Sequence, residues 1–438
     1  MKLFQQMLVA GATLSLIAPV ATQASDVVNL EEINSYARSK TKSSKFDSNT
    51  FINEVSEDIA NLKGRVDGLE VRQNEFEAGS FSDTTTLDGK AVFRVGAIDA
   101  PDPLPATLSE SLMFTYMYQM NLNTSFTGDD NLYVRLKTGN TTSDQTWADK
   151  PYGTYLSSTN TKSDALTVDK MWYTLPINDN NTVFVGPKIE NYYMHGTTPS
   201  IYKPILKQFT LGGNASAYGA STSPGAGWTY TADNGFAVSS NFTTQKGNEA
   251  SGLVTAEGKT SWATQVGFTK NQWAVSAIAN MKYNGWTDSY FTTATGKARK
   301  KAGADQEIAD RDKANSTNIG LRAWWRPQET GTATPSISVG YDTSEIDGAA
   351  ANASNTTMYF VGLTWQDMFT ADDRIGVAFG QPQKNESETT DPFAWEAYYS
   401  YKVNDSVTVT PAVFGGTSRN GTDGQDLTGA VVETTFKF

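Results

Sequence analysis

The chain stops on an alternating octapeptide, VVETTFKF. Val432, Thr434, Phe436 and Phe438 share one parity, and Val431, Glu433, Thr435 and Lys437 share the other. Side chains on a strand point alternately to its two faces. One face of this terminal strand is therefore apolar and aromatic, and the other carries charge. The apolar face must be covered by a sheet core or by lipid.

The same period of two recurs from residue 86 onward and predicts about sixteen strands, an even number. They cover residues 86–98, 112–126, 131–140, 164–176, 181–189, 225–232, 236–244, 259–269, 272–282, 317–326, 334–343, 357–366, 374–381, 393–403, 406–415 and 427–438. Short turns such as TGDDN, DNG at 233–235, KNQ at 270–272 and ND at 404–405 alternate with long polar loops. Short turns on one rim and long loops on the other belong to outer-membrane barrels. One face of several strands is strongly apolar: Phe114, Tyr116, Tyr118, Met120 and Leu122; Trp262, Val266 and Phe268; Phe393, Trp395, Tyr399 and Tyr401. A soluble sandwich would have an aliphatic core face and short turns at both ends. A propeller would repeat every 40–50 residues or so, which this sequence does not. The expected fold is all-β: a transmembrane antiparallel β-barrel of about sixteen strands at residues 86–438. Both termini then emerge at the short-turn, periplasmic rim.

Composition agrees once strands rather than helices cross the membrane. Mean hydropathy is −0.43 and only 38% of the 438 residues are hydrophobic. A barrel strand needs only every second residue to be apolar. The 19 Tyr, 21 Phe and 10 Trp suit aromatic girdles. No Cys is present, which excludes disulfides and thiolate chemistry. The net charge of −12 argues against nucleic acid as a partner. The N-terminal MKLFQQMLVAGATLSLIAPVATQA has Lys2, an apolar run and Ala24 before Ser25. It reads as a secretory signal over 1–24.

A polar linker (25–50) leads to a different pattern at 51–77. Ile52, Val55, Ile59, Leu62, Val66 and Leu69 fall at 3-4 spacing, the seam of a coiled coil. The alternative is a single amphipathic helix lying on its own domain. The seam by itself does not specify a trimer, since this a/d chemistry favours dimers in isolation.

Parity directs Lys90, Arg94, Tyr133, Arg135, Lys137, Arg322, Arg326, Arg374 and the acid Glu396 into the lumen. A basic wall in an acidic molecule would set ion selectivity. The alternative is local pairing of these cations with loop carboxylates. The segment 190–224 is long and mixed for a simple external loop. It carries Tyr192, Tyr193, His195, Tyr202, Lys203 and Lys207, with Gly212 and Gly213 supplying flexibility. It is expected to fold inward and narrow the barrel; an extracellular flap is the alternative. His195 is the only histidine, with no partner for a metal site. No cofactor, metal or catalytic constellation is expected. The charged run at 296–313 reads as a solvated loop.

Several stretches resemble one family. MKLFQQMLVA, NLKGRVDGLE, NLNTSFTGDDNLYVRLKTGN and VFVGPKIENYY are similar to the porins of marine picocyanobacteria. These are grouped with cyanobacterial iron-uptake porins and carbohydrate-selective porins. The resemblance spans nearly the whole chain. It implies a sixteen-stranded homotrimeric porin in the cell outer membrane, with its coil in the periplasm. Iron species or sugars would be among its solutes, and inorganic nutrient ions are equally open. Family members usually carry an S-layer-homology module with a YPDGTY-like motif between signal and coil. Residues 25–50 have no such motif, so cell-wall attachment is not carried over. Phe436 and Phe438 resemble the C-terminal signal read by the barrel assembly machinery. The competing functional class is a structural one, a barrel-anchored periplasmic spacer.

Overall fold

In a computed structural model, the described residues are 80–438, apart from 83, 220–221, 246, 251, 254, 256–257, 287–292, 294, 296–313 and 348–352; Lys63 and Val66 are described as well. The expected signal, linker and coiled coil, Lys63 and Val66 excepted, and the charged run at 296–313 lie outside them. Lys63 and Val66 are helical.

Sixteen long strands follow one another: β1 (Thr85–Asp99), β2 (Met113–Thr124), β3 (Asn131–Gly139), β4 (Thr167–Asn178), β5 (Asn181–Ile189), β6 (Ser223–Thr231), β7 (Phe236–Thr244) and β8 (Thr260–Lys270) form the first half. The second half is β9 (Trp273–Lys282), β10 (Ser316–Trp325), β11 (Ser336–Ile346), β12 (Asn355–Gln366), β13 (Arg374–Asn385), β14 (Phe393–Lys402), β15 (Val407–Thr417) and β16 (Leu427–Lys437). A three-residue strand, Ser80–Ser82, precedes them in sequence. Each strand pairs antiparallel with its neighbour in sequence, and β16 pairs with β1 from Thr428↔Asp99 to Lys437↔Lys90. The sheet is therefore closed and the pairing leaves no open edge, the condition for strands to cross lipid.

The outward parity is apolar and exposed: Phe93, Phe114, Trp262, Val275, Leu321, Tyr341 and Val413 are each more than a third exposed. Water would reject such a continuous band, and lipid accepts it. The inward parity is mostly polar on β1 to β4 and β6 to β11, with Gln119, Arg135, Ser239, Gln265, Asn280, Asn318 and Asp342 among them.

The strands β12 to β16 depart from that rule. Their inward side chains include Met358, Phe360, Ala378, Tyr398, Phe414 and Val431. These pack on Trp147, Leu156, Tyr202, Ile205, Leu206 and Phe209, which belong to two long loops. The barrel thus encloses a true hydrophobic core between its own wall and inserted chain. Burying side chains of this size contributes about 1.5–3 kcal/mol each.

Candidate functional site: a basic constriction between the β1–β4 wall and two inserted loops

The segment between β5 and β6 turns into the barrel and runs around the inner wall. His195 Nδ1 meets Ser239 Oγ on β7 at 2.9 Å. Thr197 N–H donates to Gln265 Oε1 on β8, and Ile201 N–H to Ser338 Oγ on β11. Glu396 on β14 accepts from Tyr202 OH (2.8 Å), Ile205 N–H (3.1 Å) and Leu206 N–H (2.6 Å). Arg322 on β10 pairs with Asp342 on β11, both side chains wholly buried, and donates to the carbonyls of Leu211 (2.8 Å) and Gly213 (2.9 Å). Ser216 N–H donates to Gln383 Oε1 on β13.

Close approach explains the glycines of this segment. Gly213 adopts φ +94°, a left-handed conformation that other residues rarely hold. A Cβ on Gly340 of β11 would collide with the Gly212 carbonyl oxygen. Gly212 and Gly213 therefore serve contact with the wall rather than the flexibility expected of them.

A second inserted loop, residues 140–166, looks from its sequence like a polar connection and no more. Its Leu156 bridges Leu206 in antiparallel fashion, with Ser157 N–H on Ile205 O and Lys207 N–H on Tyr155 O. Thr159 Oγ1 accepts from Arg94 Nη1 at 2.7 Å, and Ser158 Oγ donates to Glu433. Trp147, Tyr155 and Leu156 inside a polar loop are the signal that could have found it. The apolar inward parity of β12 is a second one.

The inserted loops occupy the β7–β16 side and leave a cavity of about 500 Å³ against β1 to β4. Its lining brings together Lys90, Arg135, Lys137, Lys170, Lys207 and, at the loop mouth, Lys162. Among the described residues only two carboxylates line it. Glu190 is paired with Lys170 at 2.8 Å, and Asp169 lies 3.9 Å from Arg135. Burial raises the Glu190 carboxyl, but the Lys170 charge and hydrogen bond outweigh it and hold the group at about 2. A depressed folded-state value gives stability that is present above the unfolded carboxyl's range and lost as pH falls through about 2. The pair therefore persists across the pH range of natural waters. Tyr133, Trp172, Tyr193 and Tyr192 form a chain of rings beside it, with successive centroids 4.3, 4.8 and 4.5 Å apart.

Not every sequence-expected pore residue lines this space. Arg94 is buried at 1% exposure, and Arg322 and Glu396 are spent on holding the loop. Tyr202 is buried on the wall, whereas Lys203 is exposed. Arg374 sits low on β13 beside Tyr398. Arg326 is a correction: β10 ends at Trp325, and Arg326 turns at the short rim to give Nε and Nη2 to Asn271 O. The half-buried His195 is kept neutral, since burial presses its imidazole down to about 3. At the C-terminus Phe436 packs on Phe93 and Phe438 stacks on Tyr118, both on the outward parity.

A closed sixteen-stranded barrel with one short-turn rim, an apolar outer band and a polar cavity narrowed by inserted loops defines a porin, an outer-membrane channel. Residues 47–438 match the model of the carbohydrate-selective porin, OprB family, and the chain belongs to that family. An uncharacterised protein of Nostoc sp. is 26% identical over 428 residues, covering 88% of this chain and 71% of the relative. A second, from Synechocystis sp., is 30% identical over 131 residues, 30% of this chain and 23% of that protein. Among solved structures, Pseudomonas putida OprB superposes with a TM-score of 0.57 at 12% identity, over 81% of this chain and 94% of that one. A mutant of the Rh. blastica porin gives 0.50 at 11% identity, over 81% of this chain and 100% of that one. At these identities the structures speak for the fold alone.

Proposed function

We propose that the protein is a passive diffusion pore for small hydrophilic solutes, with a preference for anions set at the β1–β4 wall. The observation that carries this is the charge imbalance of the constriction: six cationic side chains face two carboxylates, although the whole chain has net charge −12. Fixed charge of one sign in a narrow, low-dielectric passage concentrates counter-ions and repels co-ions. Free metal cations, ferric iron included, are disfavoured at such a wall. Neutral sugars are not, and the family description names carbohydrates. At the end of the ring chain Tyr192 lines the cavity and offers a flat face for a sugar ring to rest on, with Tyr193, Trp172 and Tyr133 packed behind it.

The test is the zero-current potential of the purified protein in a planar bilayer under a salt gradient. Replacing Arg135 and Lys137 together by glutamine is expected to lower the anion-to-cation permeability ratio severalfold. An unchanged potential would show that these two side chains do not set the conducting path.

Assembly is part of the same proposal. The chain forms a homotrimer, with the 51–77 coil parallel in the periplasm and the barrel inserted by the assembly machinery. Cyclic symmetry is the usual outcome for self-associating identical chains. Crosslinking with native mass measurement is expected to give three copies; a monomer in mild detergent would refute the trimer.

A further inference from the structure

Lys90, Gln119 and Lys137 stand side by side on three neighbouring strands. Lys90 is opposite Gln119 across β1 and β2, and Gln119 is opposite Lys137 across β2 and β3. Two residues along β3, on the same face, Arg135 is opposite Asn121. Neighbouring strands are about 4.8 Å apart, and same-face neighbours along a strand about 6.8 Å. Three cations therefore frame one small patch with two amides at its centre.

The hydrogen bonds beneath the patch are already settled. Asn121 Oδ1 accepts from Gln119 Nε2 (3.0 Å), Tyr133 OH (2.8 Å) and Arg135 Nε (3.1 Å). Asp88, two residues before Lys90 on β1, accepts from the amides of Asn121 (2.5 Å) and Asn123 (3.2 Å). These contacts fix the amides and hold the Arg135 fork in place. Lys90 makes no hydrogen bond or ion pair among the described residues, and Lys137 reaches only the Thr159 carbonyl at 3.5 Å. Thr159 and Ser157 line the opposite side of the same cavity.

With Asp169, 3.9 Å from Arg135, as their one ion-pair partner among the described residues, three cations held together in a confined space are costly until an anion joins them. A monovalent halide neutralises one of the three. A tetrahedral dianion neutralises two and offers four oxygens to ammonium, guanidinium, amide and hydroxyl donors. Arginine forks and lysine point charges are the usual partners of such groups. Resting on the porin reading, we propose that the Lys90–Lys137–Arg135 patch is an oxyanion-binding site. It takes a phosphate dianion, free or as the monoester of a small sugar, and holds it in transit. Solutes of this class then cross by a saturable step and other small anions by simple diffusion.

The experiment uses the full chain in planar bilayers at neutral pH, with chloride carrying the current. Inorganic phosphate is expected to reduce chloride current saturably, with half-effect in the low-millimolar range, while nitrate acts only in proportion to its concentration. Lys90→Gln with Lys137→Gln is expected to raise the half-effect concentration by about tenfold or more, a loss of about 1.4 kcal/mol of binding. Lys402→Gln, at the short rim between Asp372 and Asp405, is expected to leave it unchanged. Glucose 6-phosphate reports the source: matching inhibition means that the site accepts esters, and its absence means the free ion alone. Inhibition that does not saturate, or that survives the double substitution, overturns the site while leaving the porin reading intact. A folded barrel that carries no current at all overturns both.

Discussion

Replacing Arg322 by methionine is expected to destabilise the folded barrel by roughly 3–5 kcal/mol, the usual consequence of removing one partner of a buried ion pair. Asp342 would be left charged and fully buried, since its side chain has no exposed surface. The loop carbonyls of Leu211 and Gly213 would lose their donors in the same step. Methionine keeps much of the volume, so packing loss adds little. Denaturant unfolding in lipid vesicles, followed by tryptophan fluorescence, measures the loss. The companion Asp342→Leu in the Arg322→Met background is expected to restore much of it, because no lone charge remains. Single-channel records should also become noisier, since the Arg322 anchor of the loop to β10 is gone while the Ile201–Ser338 contact to β11 remains. An Arg322→Met barrel as stable and as quiet as the parent would mean that the pair does not hold the inserted loop.

Deleting Phe438 is expected to reduce folded protein in the outer membrane severalfold, with little change in the conductance of the molecules that do fold. Phe438 closes the barrel seam: its carbonyl accepts from Gly89 N–H at 2.9 Å and its N–H donates to Gly89 O at 3.2 Å. Its ring stacks on Tyr118 at 5.8 Å on the lipid side, away from the basic cavity. The deletion thus removes the last rung of β16 on β1 together with the aromatic residue proposed to be read by the assembly machinery. A charged residue in its place would bring charge to the girdle and act in the same direction. The amount of heat-modifiable barrel in outer-membrane fractions is the readout. Normal yield with altered conductance would assign Phe438 to the pore instead.

The period of two places all sixteen strands, with most ends within about two residues, because lipid enforces an apolar outward face that recurs every second residue. Where the alternation is locally broken the reading stops short. The period ends the thirteenth strand at 381, yet β13 runs to Asn385. Pro382 looks like a terminator, but a register shift opposite Thr357 and Tyr359 absorbs it as a bulge. After the shift Gln383 points inward and holds Ser216. Period-based parity cannot follow that change of phase.

The candidate site is legible in part. Lys90, Arg135, Lys137, Tyr192 and Lys207, all expected inward, do meet around one cavity. Arg94, Arg322 and Glu396 carry the same expectation but are spent on loop attachment. Parity names the face of the wall on which a residue stands. It does not say whether open water or another piece of chain stands opposite. The 140–166 loop escapes notice for the same reason: its polar composition resembles that of a solvated loop, and its few apolar residues acquire a purpose only against Phe360, Tyr398 and Phe414.

By itself, the sequence determined what is local and periodic: the strand number, the lipid-facing parity and the rim of short turns. These follow from the two-residue repeat of an extended chain and from the chemistry of the turns. The tertiary structure alone decided where the passage lies. Two loops, separated from the strands they touch by up to 275 residues, as in Ser158 and Glu433, fill the β7–β16 side and leave the β1–β4 wall open. That choice depends on which loop surfaces find complementary wall: three loop donors on one buried carboxylate, one buried ion pair and one apolar cluster. Such long-range complementarity has no period, and no sequence window spans it.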